Sequence, residues 1–245
     1  MTNDNAYLTK NSKCVNILLA AARISDRMKI PLFSSFSSKM ARKVYMQKIN
    51  FDFDCRKATQ ALNYFAIKAG GKINRMKAIK LIYLADRYHL RKYCRLITND
   101  IYFAMDNGPV ASGVKDIAEE SEYIGQAERN YASDYIAAAP PHDMKSKKPI
   151  NNDVFSDSDI EALGFVWEKF GHLDQFQLVK LTHKYPDWYK HEPSLRRKSR
   201  IQMDLRDFFD DPNSDVDKCF ELTDEDRDIR REQLEEMFYL ESVWR

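Results

Sequence analysis

A chain of 245 residues with 44% hydrophobic and 31% charged residues can build one sizeable core, and its composition excludes disorder throughout. Only 7 glycines argue against a sandwich or barrel full of tight turns and against Gly-rich phosphate loops. The net charge of +2 hides a segregation: residues 1–50 hold nine Lys/Arg against two Asp/Glu, and residues 204–245 hold six against fifteen.

Residues 1–45 read as a basic extension, solvated and partly disordered, with one weak amphipathic patch (Val15, Leu18, Leu19, Ala22) and a linker over Pro31–Ser38. A short signal segment, an Arg- and Ser-bearing transit peptide, or a true start at Met46 are other readings of the same stretch. No run approaches the roughly 20 apolar residues of a membrane span. The four cysteines, Cys14, Cys55, Cys94 and Cys219, form no C-x-x-C pair and suit reduced thiols in a cytosolic protein.

Globular order begins near Phe51. Ala58, Ala61, Leu62, Phe65 and Ala69 fall at helical spacing, and Gly70-Gly71 ends that helix. Asn74 caps the strongest helix, which runs to about Tyr93. Its cations at 77, 80, 87 and 91 read as the solvated face of an amphipathic helix; a nucleic-acid contact is the sharper alternative. Ile101–Met105 reads as extended, and Asp106–Pro109 as a sharp bend. A helix is expected from Pro109 or Ser112 to Glu122, a strand within Tyr131–Ala138, and an open lysine-bearing loop from Pro140 to Pro149, the segment expected to be nicked first. Ser156 and Asp159 stand at capping-box spacing before a helix closed by Gly171. Asp174 caps another that Pro186 stops. A helix over Ser199–Phe209 and an acidic loop lead to a final helix from Asp224 to about Leu240, with Thr223 and Asp226 repeating the capping spacing.

Chemistry-bearing constellations are sparse. Asp86 and His89 share a helix face and could hold a metal or relay a proton, although a local hydrogen bond at a helix surface is the plainer reading. His183 and His191, eight apart across Pro186, are not a zinc pattern. There is no G-x-S-x-G, no G-x-x-x-x-G-K-[ST] and no G-x-G-x-x-G. No catalytic residue, cofactor or metal is assigned, and a hydrolase assembled from distant residues around His183 is left as the enzymatic alternative.

Two segments carry a family likeness. One is Lys80–Leu90 (K-L-I-Y-L-A-D-R-Y-H-L), followed by Ile97–Asp100 and Tyr102–Val110 with its G-P-V; the other is Ser156–Asp159 leading to Thr182-His183 and Pro186-Asp187-Trp188. Their order and spacing resemble the Panacea, or SocA-like antitoxin, domain over about residues 51–195. The resemblance implies a mainly α, compact helical domain with a short β-hairpin or extended segments, spanning 46–245 with an acidic C-terminal part from 196. It implies a cytoplasmic antitoxin that binds a cognate toxin encoded next door, or an adaptor that delivers the toxin to a cytosolic protease. A DNA-binding regulator is the alternative from another class. Tyr83, Tyr102 and Trp188 are expected as core or groove aromatics, and Asp86 as a partner of the Tyr102–Pro109 turn. Thr182 and His183 are expected to cap or brace the neighbouring segment. Lys80, Tyr83, Asp86, Tyr102, Gly108, Pro109, His183 and Trp188 are the candidate partner-binding residues. Cys94 stands where the family pattern commonly has glycine, so a looser turn is expected there.

Overall fold

The computed structural model describes residues 52–212 and 221–244. The expectations for the basic head, for Cys14 and for Cys219 lie outside the described residues. The fold is mainly α with two small sheets.

Helix α1 (Cys55–Lys68) starts on Asp54, whose side chain accepts the Lys57 N–H. Strand β1 (Lys72–Asn74) follows the Gly70-Gly71 turn, where both glycines hold positive φ. Asn74 then caps α2 (Arg75–Tyr93) through the Lys77 N–H. This is the central helix, packed against α1, the β2–β3 hairpin and three later helices. Strands β2 (Tyr102–Met105) and β3 (Gly108–Ala111) form that hairpin, with Met105 opposite Gly108. Gly108 has φ +94°, which a side-chain-bearing residue rarely adopts. Pro109 therefore lies in a strand and starts no helix.

Helix α3 (Ser112–Ala118) stops four residues earlier than expected, because Glu120 turns the chain in the left-handed region at φ 55°. The strand expected at Tyr131–Ala138 is mostly helix: α4 (Gln126–Tyr135) continues the good helix formers before it, buries Ala132 and lets Tyr131 accept a hydrogen bond from Gln60. Only Ile136–Ala139 forms the strand, β4. The stretch expected as an open loop is a hairpin arm, β5 (Asp143–Ser146), which buries Met144 and pairs with β4 on one side and β1 on the other. The backbone of 143–146 is shielded by both ladders, which confines the expected nicking to the flanking residues 140–142 and 147–149.

Helix α5 (Asp157–Phe170) carries the full capping box: Ser156 Oγ accepts the Asp159 N–H at 3.3 Å, and Asp159 Oδ2 accepts the Ser156 N–H at 2.9 Å. Helix α6 (Gln175–Thr182) has a second box, Asp174 with Gln177. Pro186 does more than stop α6; it opens a single turn, α7 (Pro186–Tyr189), followed by α8 (Glu192–Leu195). The helix expected over Ser199–Phe209 is a two-residue strand, β6 (Ile201–Gln202), paired to β2, and then a 3-10 turn over Leu205–Phe209 capped by Asp204. Helix α9 (Asp224–Trp244) ends the chain, with Thr223 accepting the Asp226 N–H as its spacing suggests. The sheets run β1-β5-β4 and β3-β2-β6. Among the described residues, no helix is long and apolar enough to cross a membrane.

Cys94 makes a regular left-handed cap rather than a looser turn. It sits at φ 57°, returns its N–H to Leu90 O at 2.8 Å and places its thiol 3.1 Å from Gln233 Oε1 on α9. Contact with α9 offsets part of the steric cost of a Cβ in that conformation.

Ser156→Ala should lower stability by about 1 kcal/mol, the usual cost of an N-cap side chain. The expected result is a lower urea midpoint with an unchanged denaturant slope.

Candidate functional site

The eight candidate residues come together around one stretch of α2. Three of the four cations expected on its solvated face are in fact turned inward, Lys80, Arg87 and Arg91 at 1%, 0% and 2% exposed, while Lys77 is half-buried. Asp86 and His89 are also fully buried and serve different neighbours, which corrects the expectation of a surface pair.

Asp86 accepts four donors. Oδ1 takes the backbone N–H groups of Ile97 (2.5 Å) and Thr98 (3.2 Å); Oδ2 takes the Thr98 hydroxyl (2.5 Å) and the Tyr102 hydroxyl (2.6 Å). Burial pushes its pKa up, and the four donors pull against that. The expected link to the hairpin exists through Tyr102, but most of the carboxylate's work is on the 97–98 turn. His89 meets Arg95 O at 2.6 Å and Ser158 Oγ at 3.1 Å, and lies 3.3 Å from Asp159 Oδ1. Burial holds it down to about 4, so it is neutral near pH 7.

One turn away, Tyr83 donates to Asp187 Oδ2 at 2.6 Å, and Arg87 pairs with Asp187 Oδ1 at 3.4 Å. The Arg87 guanidinium also lies over the Tyr185 ring, 4.5 Å from its centroid, and donates to Asp210 O at 2.6 Å. Arg91 donates to Phe208 O at 2.9 Å and pairs with Asp211. The Tyr83 ring meets Tyr102, Tyr185 and Phe208 edge-on, so these aromatics are core rather than groove. From the sequence, Arg87 and Arg91 were expected on the solvated face of α2 and Asp187 stood only within the P-D-W motif, and none of the three was a candidate site residue. The available signal was their position: 83, 87 and 91 recur every four residues, in phase with the apolar side of α2.

The remaining candidates form a third group. Lys80 donates from Nζ to Pro109 O at 2.6 Å, with no carboxylate paired to it among the described residues, and burial lowers it to about 7. A Cβ at Gly108 would lie 2.8 Å from Thr182 Oγ1 and 3.0 Å from Lys80 Nζ, so glycine is required there by space as well as by φ. His183 stacks on Trp188 with ring centroids 3.7 Å apart and planes 2° from parallel. Its pKa is lowered by burial and then by Lys80. Trp188 donates from Nε1 to Met105 O at 2.9 Å, bracing the hairpin from below. Of the eight candidates only His183 is more than slightly exposed; the rest, Gly108 and Pro109 included, are buried. Through buried side chains the cluster locks α2, the β2–β3 hairpin and the α6–α7 corner into one body. Among the described residues, no group of three or more His, Cys, Asp or Glu is placed to hold a metal ion.

Two measurements test this reading. Asp86→Asn puts an amide NH2 among four donors and should cost about 3 kcal/mol or more in guanidinium unfolding. Lys80 gives a pH signature. The unfolded chain binds its proton up to pH 10.5 and the folded chain only to about 7, so folding is penalised below that window and relieved as pH rises through it. Between pH 7 and 9.5 stability should climb by up to ~1.4 kcal/mol per pH unit. Lys80→Met should flatten the slope and be the more stable variant at pH 7.

A family model described as antitoxin SocA-like, Panacea domain, matches residues 79–189. That span runs from α2 to the end of α7, inside the 51–195 over which the sequence pattern extends, and it contains all eight candidates. Comparison with curated proteins and with solved structures gave no significant match. The buried cluster joining α2 to the hairpin and the α6–α7 corner thus lies at the heart of the span, residues 79–189, over which the chain is similar to the antitoxin SocA-like, Panacea domain.

Proposed function

We propose that the protein is the antitoxin of a type II toxin–antitoxin pair, acting in the cytoplasm by direct contact with a toxin encoded by a neighbouring gene, without a cofactor or a catalytic step of its own. The match of residues 79–189 to an antitoxin domain carries this reading. In it, Lys80, Tyr83, Asp86, Tyr102 and Trp188 hold the shape of the contact surface from beneath. Gly108, Pro109 and His183 lie where the hairpin meets the α6–α7 corner, closest to its edge. Delivery of the toxin to a cytosolic protease uses the same contact and is the nearest alternative.

A DNA-binding regulator loses part of the support first given to it, because Lys80, Arg87 and Arg91 of α2 are buried, while Lys72 and Lys92 stay exposed. What favours it instead is the exposed run Arg196, Arg197, Lys198 and Arg200. Binding through that run would weaken steeply with salt.

The deciding experiment induces each neighbouring gene alone and together with this protein, and counts surviving colonies. A neighbour that kills alone and is silenced by co-expression is the expected outcome. No toxic neighbour, or toxicity that persists, overturns the proposal. Repeating the rescue in cells lacking the unfoldase-protease separates blocking, where rescue persists, from delivery, where it is lost.

A further inference from the structure

In the sheet β1-β5-β4, no strand among the described residues pairs with the outer edge of β4. Along Ala137-Ala138-Ala139 no bulky, charged or proline side chain guards that edge. The Ile136 N–H is taken by Ala132 O at the end of α4. The Ala138 N–H points away from β5, and a side chain meets it: Glu120 Oε1 accepts it at 2.8 Å. Glu120 is exposed, and it reaches the strand from a left-handed turn. Its carboxylate stands where the carbonyl of a neighbouring strand would be.

Beside this edge lies a groove of about 280 Å³, with an apolar floor that includes Ile117, Ile124, Ala132, Ile136 and Met144 and a polar wall that includes Arg129. Tyr123, next to it in the chain, is 92% exposed. The flanking segment is acidic: residues 116–128 contain Asp116, Glu119, Glu120, Glu122 and Glu128 and no Lys or Arg. The nearest cations in the chain are engaged, Lys115 with Glu119, and Arg129 with Glu122 O and Gln126 Oε1.

We propose that the β4 edge receives an extended segment of the partner protein as an added strand. The segment sets a carbonyl on the Ala138 N–H in place of the Glu120 carboxylate. It seats one large apolar side chain in the groove and carries Lys or Arg beside it to meet the acidic rim. Main-chain pairing supplies affinity, and the groove and rim select the segment. The proposal rests on the reading that this protein acts by binding another protein.

The test uses the full chain and an end-blocked heptapeptide alternating lysine with valine and leucine, followed by amide-resolved NMR. The expected result is perturbation confined to Ile136–Ala139 and the 117–124 segment, with slowed exchange of the Ala138 amide. Ala138→Pro removes the outward N–H without breaking the β4–β5 ladder, as an edge position allows. It should weaken peptide binding at least tenfold, with the spectrum elsewhere unchanged. Glu120→Ala only empties the position the peptide takes, and should bind at least as well as the parent. Perturbation elsewhere, no perturbation, or equal binding by Ala138→Pro overturns the proposal. With a toxin identified by growth rescue, Ala138→Pro should weaken that complex at least tenfold as well; an unchanged affinity overturns the assignment of this edge to the toxin. The peptide arm reads the edge whether or not any neighbour proves toxic, so failure of the antitoxin reading and failure of the strand site are told apart.

Discussion

Charged groups buried along α2 set the terms for everything packed around it. A carboxylate or guanidinium removed from water must be met by donors, acceptors or an opposite charge, or the chain does not fold around it. Asp86 draws in the 97–98 turn and Tyr102; Arg87 draws in Asp187 and the carbonyl of Asp210; Arg91 draws in Phe208 O and Asp211. Each demand is satisfied by a different segment. The helix therefore acts as a directional frame, and apolar packing of Leu81, Ile82 and Leu84 against the rest of the core fills the space between polar links. Replacing such links by apolar groups can preserve stability, but it loses the directional instruction they give to the surrounding loops.

The elements with local instructions were legible in the sequence. The caps at Asn74, Ser156, Asp174 and Thr223 act through side-chain hydrogen bonds spanning two or three residues, so spacing alone reveals them. The bend before Pro109 was legible because glycine admits a positive φ and proline fixes its own. The order of the α2 and T-H-x-x-P-x-W segments pointed to the domain. Elements whose identity depends on distant partners were not legible. Strand β5 exists because β1 and β4 pair with it, and β6 because β2 offers it an edge. Residues 126–135 are helical because their formers and the packing of Ala132 outweigh the β-prone Tyr131 and Tyr135. The orientation of the α2 cations failed for the same reason. A lysine or arginine counts as solvated until its partner is known, and the partners here lie from 29 to 123 residues away. The eight candidate residues were brought together as grouped, but as a frame under the surface.

That distinction bears on where the surface of this fold can vary. The buried cluster fixes the hairpin and the α6–α7 corner in place and reaches solvent chiefly at His183. Residues that a partner could touch lie on segments the cluster positions without occupying: Asp106-Asn107 at the hairpin tip, Tyr189, the exposed 196–200 run and the acidic 116–128 segment. Such surface positions can change with little effect on the frame, because few buried polar links run through them.

Gly108 ties three separate stretches of the chain to one point in space. Thr182 and Lys80 both crowd the place where its Cβ would stand, and its backbone holds a conformation that only glycine enters freely. A larger residue there would have to displace the Thr182 hydroxyl, crowd the Lys80 ammonium and hold a strained positive φ. In the divergence of related chains, positions 80, 108 and 182 should therefore change together or not at all, and a glycine retained at 108 would mark the sequences that keep a lysine beneath the hairpin.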